Sequence, residues 1–80
     1  MPKWMIKYCG SWNYKPEAES LSAEMKELGF NVMIEEGGTG QFELFRWAVG
    51  WDSYMKAGHG KFFTLRDVEE KLSGKRIWKY

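Results

Sequence analysis

The hydrophobic period of the chain changes twice within its first 35 residues, and that pattern leaves few folds open. Residues 3–8 alternate, with Trp4, Ile6 and Tyr8 on one side and Lys3, Met5 and Lys7 on the other. A period of two is the mark of a strand. Ala18, Leu21, Met25 and Leu28 then recur at helical spacing behind Pro16. Proline suits the first turn of a helix, where its missing N–H has no partner to lose. Glu17 and Glu19 sit at the positive end of the helix dipole, and Gly29 supplies a left-handed stop. Alternation resumes at once in Phe30, Val32 and Ile34, against Asn31, Met33 and Glu35. A strand, a helix of three turns and a strand predict two parallel strands joined by a right-handed crossover.

The remainder reads as a hairpin and a helix. Gly37-Gly38-Thr39-Gly40 is a flexible turn. A strand follows it rather than a helix, and there is no Gly-Lys-Ser/Thr ending, so it does not read as a nucleotide loop. In the strand 41–47, Phe42 and Leu44 share one face, and Phe45 and Trp47 share the other. A strand apolar on both faces predicts a central place in the sheet or an oligomer contact. Ala48-Val49-Gly50 connects it to an antiparallel strand at 51–57, and Gly58-His59-Gly60-Lys61 is a loop. Thr64 and Asp67 have the spacing of a capping box, and Phe63 can staple to Val68. Leu65, Val68 and Leu72 form the buried stripe of the last helix, which Gly74 ends. The order β-α-β-β-β-α, with both helices on one sheet face, predicts an α/β two-layer sandwich with a four-stranded mixed sheet. Met5, Met33, Phe45 and Trp47 are then candidates for the other, partly open face, as a dimer or docking surface for a protein partner.

Residues 1–74 make one domain, and Lys75-Arg76-Ile77-Trp78-Lys79-Tyr80 is a basic aromatic tail. A domain this small has limited apolar area to bury, and five Trp, four Tyr and five Phe supply much of it. Net charge is only +1, but it is unevenly spread. Residues 16–45 hold seven glutamates against Lys26, whereas residues 46–80 hold eight basic and four acidic residues. The tail could meet phosphates by pairing and stacking, but no wider basic face accompanies it. Nucleic acid is therefore not the expected partner, and no run is long enough to span a membrane. A single cysteine, with no apolar leader, points to a reducing compartment such as the cytoplasm.

Chemistry concentrates in Tyr8-Cys9-Gly10-Ser11-Trp12-Asn13-Tyr14-Lys15-Pro16, between the first strand and the first helix. Cys9 is the only sulfur nucleophile. Three features favour its thiolate: the helix N-terminus ahead of it, donors from Gly10 and Ser11, and the charge of Lys15. Glu17, Glu19 and desolvation under Trp12 oppose them. The competing reading is a small buried hydrophobe at a strand end. His59, the sole histidine, reads as a solvated loop side chain, since the chain has no metal-ligand spacing.

This loop resembles the redox loop of the selenoprotein W-like (Rdx) family, in which Tyr-Cys-x-x-Cys or Tyr-Cys-x-x-selenocysteine precedes a Tyr and a Pro. Thr39-Gly40-Gln41-Phe42-Glu43-Leu44 is similar to that family's Gly-x-Phe-Glu strand. Gly60-Lys61-Phe62-Phe63 resembles its Gly-x-Phe-Pro segment, with Phe63 where Pro is common. The resemblance runs in register from Lys3 to Leu72 and implies a thioredoxin-like fold. It also implies cytosolic thiol redox chemistry with glutathione or protein thiols as co-substrates and no bound cofactor. Cys9 matches the family's first sulfur. Trp12 stands where the second belongs, so the implied chemistry is monothiol. Selenocysteine is specified by UGA, one base from the tryptophan codon, so Trp12 also reads as an ancestral or recoded selenocysteine position. The alternative is a non-catalytic interaction module on the same fold. It would use Trp12, Tyr14 and the aromatic sheet face as anchors.

Overall fold

The computed structural model describes residues 2–74; the basic tail 75–80 lies outside the described residues. Six elements follow in order: β1 (Lys3–Tyr8), α1 (Lys15–Glu27), β2 (Asn31–Glu36), β3 (Phe42–Trp47), β4 (Trp51–Lys56) and α2 (Leu65–Leu72). The sheet order is β2-β1-β3-β4. β1 and β2 are parallel, with Ile6 beside Ile34. β3 runs antiparallel to β1 and to β4. This is the two-layer α/β sandwich with a four-stranded mixed sheet that the periodicity predicts, consistent with the thioredoxin-like fold that the resemblance implies, and β3 has an interior place.

One sheet face carries the core. Trp4, Ile6 and Tyr8 of β1, Val32 of β2, Phe42 and Leu44 of β3 and Met55 of β4 form a single buried cluster with Ala18, Leu21, Met25 and Val68 of the two helices. α1 packs on β1, β2 and α2, so both helices share that face. The helix ends follow their local chemistry. The α1 C-terminus stops at Gly29, whose φ of 92° is open to glycine, and the Asp67 carboxylate accepts the Thr64 N–H at 2.8 Å to cap α2.

Four details depart from the alternation. Leu28 caps α1 and is exposed, because the stripe ends at Met25 and Ser22 takes the neighbouring buried position. Leu72, in the last turn of α2, is also exposed, leaving Val68 as that helix's buried anchor. Met5 is buried although it lies on the face without helices, since its register neighbours Met33 and Phe45 flank it on both sides. Finally, a β-bulge interrupts β4: Leu44 pairs with Met55 but Phe45 pairs with Ser53. The extra residue, Tyr54, is re-aimed toward the helix side, where its ring meets Trp4 edge-on at 5.1 Å. Arg46 stacks on the Tyr54 ring at 4.7 Å, and the Lys71 ammonium lies 4.3 Å from the same ring.

Candidate thiol site

Cys9 is the first residue beyond β1, an interior strand that delivers it to the end of the sheet where α1 begins. Its N–H donates to the Gln41 carbonyl at 2.8 Å, so pairing with the β3 side continues one residue past the strand. Its carbonyl accepts the Tyr14 N–H at 3.0 Å, and the Asn13 N–H donates to the Gly10 carbonyl at 3.1 Å. Asn13 takes a left-handed φ of 59°, which asparagine adopts more readily than most residues. Residues 10–13 thus fold into a tight loop ahead of α1, and the sulfur lies under it.

The thiol is buried, with Cys9 only 1% exposed. Burial pushes its pKa up. The Ser11 hydroxyl, 3.4 Å from the sulfur, and the backbone amides of Gly40, Trp12 and Ser11 pull it the other way. The hydrogen bonds prevail, and the Cys9 pKa lies below its ordinary value. The donor set differs from the one the sequence suggests. Ser11 contributes twice. Lys15, at the exposed start of α1, contributes nothing to this balance, and neither does Gly10. Gly10 instead lies against the Glu36 carboxylate at the end of β2, so closely that a side chain there would overlap it. The remaining donors, the Gly40 and Trp12 amides, are held in place by the fold rather than by their side chains.

Aromatic rings close the site. Trp12 is 44% exposed and meets His59 edge-on at 4.7 Å and Tyr14 at 5.9 Å. Tyr14 is buried, caps α1 and continues the chain of rings through Phe62 at 4.6 Å to Phe42 at 5.2 Å. The His59 and Trp12 rings both rest on Gly40. A Cβ at that position would collide with the imidazole and sit 3.1 Å from the indole, and φ there is 72°. The left-handed φ favours glycine at position 40, and a Cβ would in addition have to displace the exposed imidazole and crowd the indole. A cleft of about 450 Å³ opens beside Gly40, between residues 38–41 and 56–59.

The three expected motif residues of the β3 strand take different places. Gly40 belongs to the thiol site. Phe42 is fully buried beneath it. Glu43 faces the other side of the sheet, where Gln41 Nε2 donates to its carboxylate at 2.8 Å and the Ser53 hydroxyl donates to its second oxygen. Glu43 thus ties β3 to β4 instead of lining the thiol site. His59 is the residue that sequence reasoning missed. It is exposed, as a loop side chain should be, but it is packed against Trp12 rather than free in solvent. Only the hairpin register could have shown this. The Ala57 N–H donates to the Phe42 carbonyl at 3.0 Å, which carries the next two residues alongside Gly40.

No family model, curated protein or solved structure matches the chain. What Cys9 can do follows from its surroundings. A thiol with a lowered pKa and several donors is partly prepared as a thiolate, which is the nucleophilic form. It is the protein's only cysteine, so no internal disulfide can form. Any disulfide made at Cys9 joins it to an external thiol. No helix among the described residues is long and apolar enough to cross a membrane.

Proposed function

We propose that this chain is a selenoprotein W-like thiol-exchange protein that works through Cys9 alone, with glutathione or a protein thiol as its co-substrate. The observation that supports this most is the hydrogen-bonded thiol: one hydroxyl and three backbone amides converge on a sulfur and lower its pKa despite burial. The thiolate attacks one sulfur of an external disulfide R–S–S–R. A Cys9–S–R bond forms, the original S–S bond breaks, and its electron pair leaves on the second sulfur as R–S⁻. A second external thiolate then attacks the R sulfur of the mixed disulfide and frees Cys9. Trp12 stands where an internal thiol would resolve the same intermediate.

The pH dependence of Cys9 alkylation, followed by mass analysis after treatment with oxidised glutathione, tests this reading. An alkylation midpoint below that of an unperturbed thiol, about 8.5, and a single glutathione adduct on Cys9 are expected. A midpoint at or above that value with no adduct in the folded state would overturn it. Trp12→Cys should then let Cys9 form an internal disulfide and confer dithiol activity.

A second reading is favoured by the exposure of three large apolar side chains. Trp12 shows 44% of its surface, Trp47 42% and Met33 51%. In that reading the fold is an interaction module, with Trp12 beside the thiol loop and Trp47 and Met33 on the sheet face lacking helices. A chain whose Cys9 is inert but whose Trp12→Ala and Trp47→Ala variants lose a common partner would support it.

A further inference from the structure

The end of the sheet opposite the thiol carries a feature that thiol chemistry does not use. Trp47-Ala48-Val49-Gly50-Trp51 turns β3 into β4 without a charged side chain. Trp47 and Trp51 are register partners and meet edge-on at 5.3 Å, and the Ala48 N–H donates to the Gly50 carbonyl at 3.1 Å. The turn is thus closed on itself, and its apolar tip stands in water, with Val49 99% exposed. Leu28, exposed at the C-terminus of α1, lies at the same end, because Asn31 just beyond it pairs with Lys3 and Lys3 pairs with Trp47. α2 also runs toward this end. Phe63, before its first turn, packs on Phe42 near the thiol, and Lys71 in its last turn donates to the Tyr54 carbonyl, three residues from Trp51. The residues that follow α2, outside the described residues, are Lys75-Arg76-Ile77-Trp78-Lys79-Tyr80.

We propose that this pole is a membrane-surface contact: the 47–51 hairpin enters the headgroup layer of an anionic bilayer, and residues 75–80 supply the cations that hold it there. Shape and charge favour this occupant over others. A stable dimer buries about 800 Å² on each partner, and a five-residue tip that includes Ala48 and Gly50 does not offer that area. A bilayer asks for no complementary shape. Tryptophan and tyrosine settle at its headgroup level, where one side of the ring is apolar and the other wet, and lysine and arginine pair with anionic lipid. Around the tip itself the charges balance, Lys3 and Arg46 against Glu27 and Asp52. The excess comes from residues 75–80, with three cations, no acid and two more aromatic anchors. Contact of this kind needs no spanning segment. It turns the thiol loop away from the lipid, so it stands independently of what Cys9 does.

Co-sedimentation of the full chain with vesicles tests this. The wild type should bind vesicles of phosphatidylcholine containing about one third phosphatidylserine, and pure phosphatidylcholine at least about tenfold more weakly. Val49→Asp puts a charge on a side chain that touches no core residue, and should lower partitioning about tenfold. Lys75→Gln, Arg76→Gln and Lys79→Gln together should lower it about a hundredfold, roughly fivefold for each cation. Phe62→Ala removes an exposed ring at the thiol end and should change it less than twofold. Binding that survives Val49→Asp but is lost with the three cations belongs to a basic segment acting alone and overturns the proposal. An equal loss in Phe62→Ala and Val49→Asp overturns it as well, since the contact then has no preferred pole. Absence of binding to either vesicle overturns it outright, and a dimer that Val49→Asp dissociates would then make a second copy the occupant. Alkylation of Cys9 is a separate measurement, so failure here leaves the thiol reading untouched.

Discussion

Trp12 and Trp47 occupy opposite ends of the sheet in closely similar circumstances. Trp12 is 44% exposed and Trp47 42%, and each is held by an edge-to-face ring contact, Trp12 on His59 at 4.7 Å and Trp47 on Trp51 at 5.3 Å. What lies beneath them differs. Trp47 and Trp51 face each other as register partners across the 48–50 hairpin, whose tip carries the fully exposed Val49. Trp12 lies on Gly40, beside a thiol that draws on four hydrogen-bond donors, with a cleft next to it. Exposure alone therefore does not tell the two tryptophans apart. The hydrogen-bond donors behind Trp12 set the two ends apart, and they come from the loop at 10–13 and the turn at 37–41, where β1 ends.

The comparison can be broken most forcefully by removing the floor of the thiol end. Phe42 is fully buried and carries the rings of Phe62 and Phe63 at 5.2 and 4.9 Å. Phe42→Ala should lower the unfolding free energy by about 3–5 kcal/mol, a large part of the stability of a domain this small. Trp47→Ala should lower it by about 1 kcal/mol or less, since much of that side chain is already in water. Urea midpoints measure both. Similar losses would show that the two ends are equally part of the core, contrary to the burial pattern. Gly40→Ala comes next. The left-handed φ alone costs about 1–2 kcal/mol in a residue with a Cβ, and the new methyl group must push the imidazole and indole aside.

The sequence carried the sheet and the helices because their periods are local. Lys3–Tyr8 and Ala18–Met25 announce their faces without knowledge of the rest. The site was legible only in part, because its donors come from separate segments. Ser11 is two residues from Cys9 and was foreseeable. Gly40 reaches the sulfur through the pairing of Cys9 with Gln41, and His59 reaches Gly40 through the β3–β4 hairpin, whose bulge at Tyr54 shifts the register by one. Counting pairs from the 48–50 turn without that bulge would have misplaced everything after it. Lys15 reads from its position as one of three features favouring the thiolate, yet it is exposed at the start of α1 and is not among the causes of the lowered thiol pKa.

Trp12→Ala sharpens the comparison at the level of reactivity. The two edge contacts of Trp12, with His59 and Tyr14, are worth about 0.5–1.5 kcal/mol each. They hold the indole against Gly40, beside the thiol loop. Removing it should raise the alkylation rate of Cys9 about tenfold, the factor that corresponds to roughly 1.4 kcal/mol. Trp47→Ala should leave that rate within twofold. If both substitutions accelerate alkylation alike, access to the sulfur is governed by global loosening and the two ends do not differ in the way their donors suggest.

Ser11→Ala is the smallest and most specific change. The hydroxyl 3.4 Å from the sulfur is one of four donors holding the thiol pKa below its ordinary value, so its loss should move the alkylation midpoint to higher pH without moving the urea midpoint at neutral pH. The sign has a consequence for stability. A group whose folded pKa is depressed stabilises the fold fully only above its unfolded pKa, and that stabilisation is lost as pH falls through the folded value. The wild type should therefore gain stability as pH rises from the lowered Cys9 pKa to the ordinary thiol value. Cys9→Ser should abolish that gain, and Ser11→Ala should reduce it over a narrower pH window. A stability profile in this range that is unchanged by Cys9→Ser would mean that the amides of Gly40, Trp12 and Ser11 do not favour the thiolate in the folded protein. The resemblance between the two tryptophan ends would then extend to what lies under them.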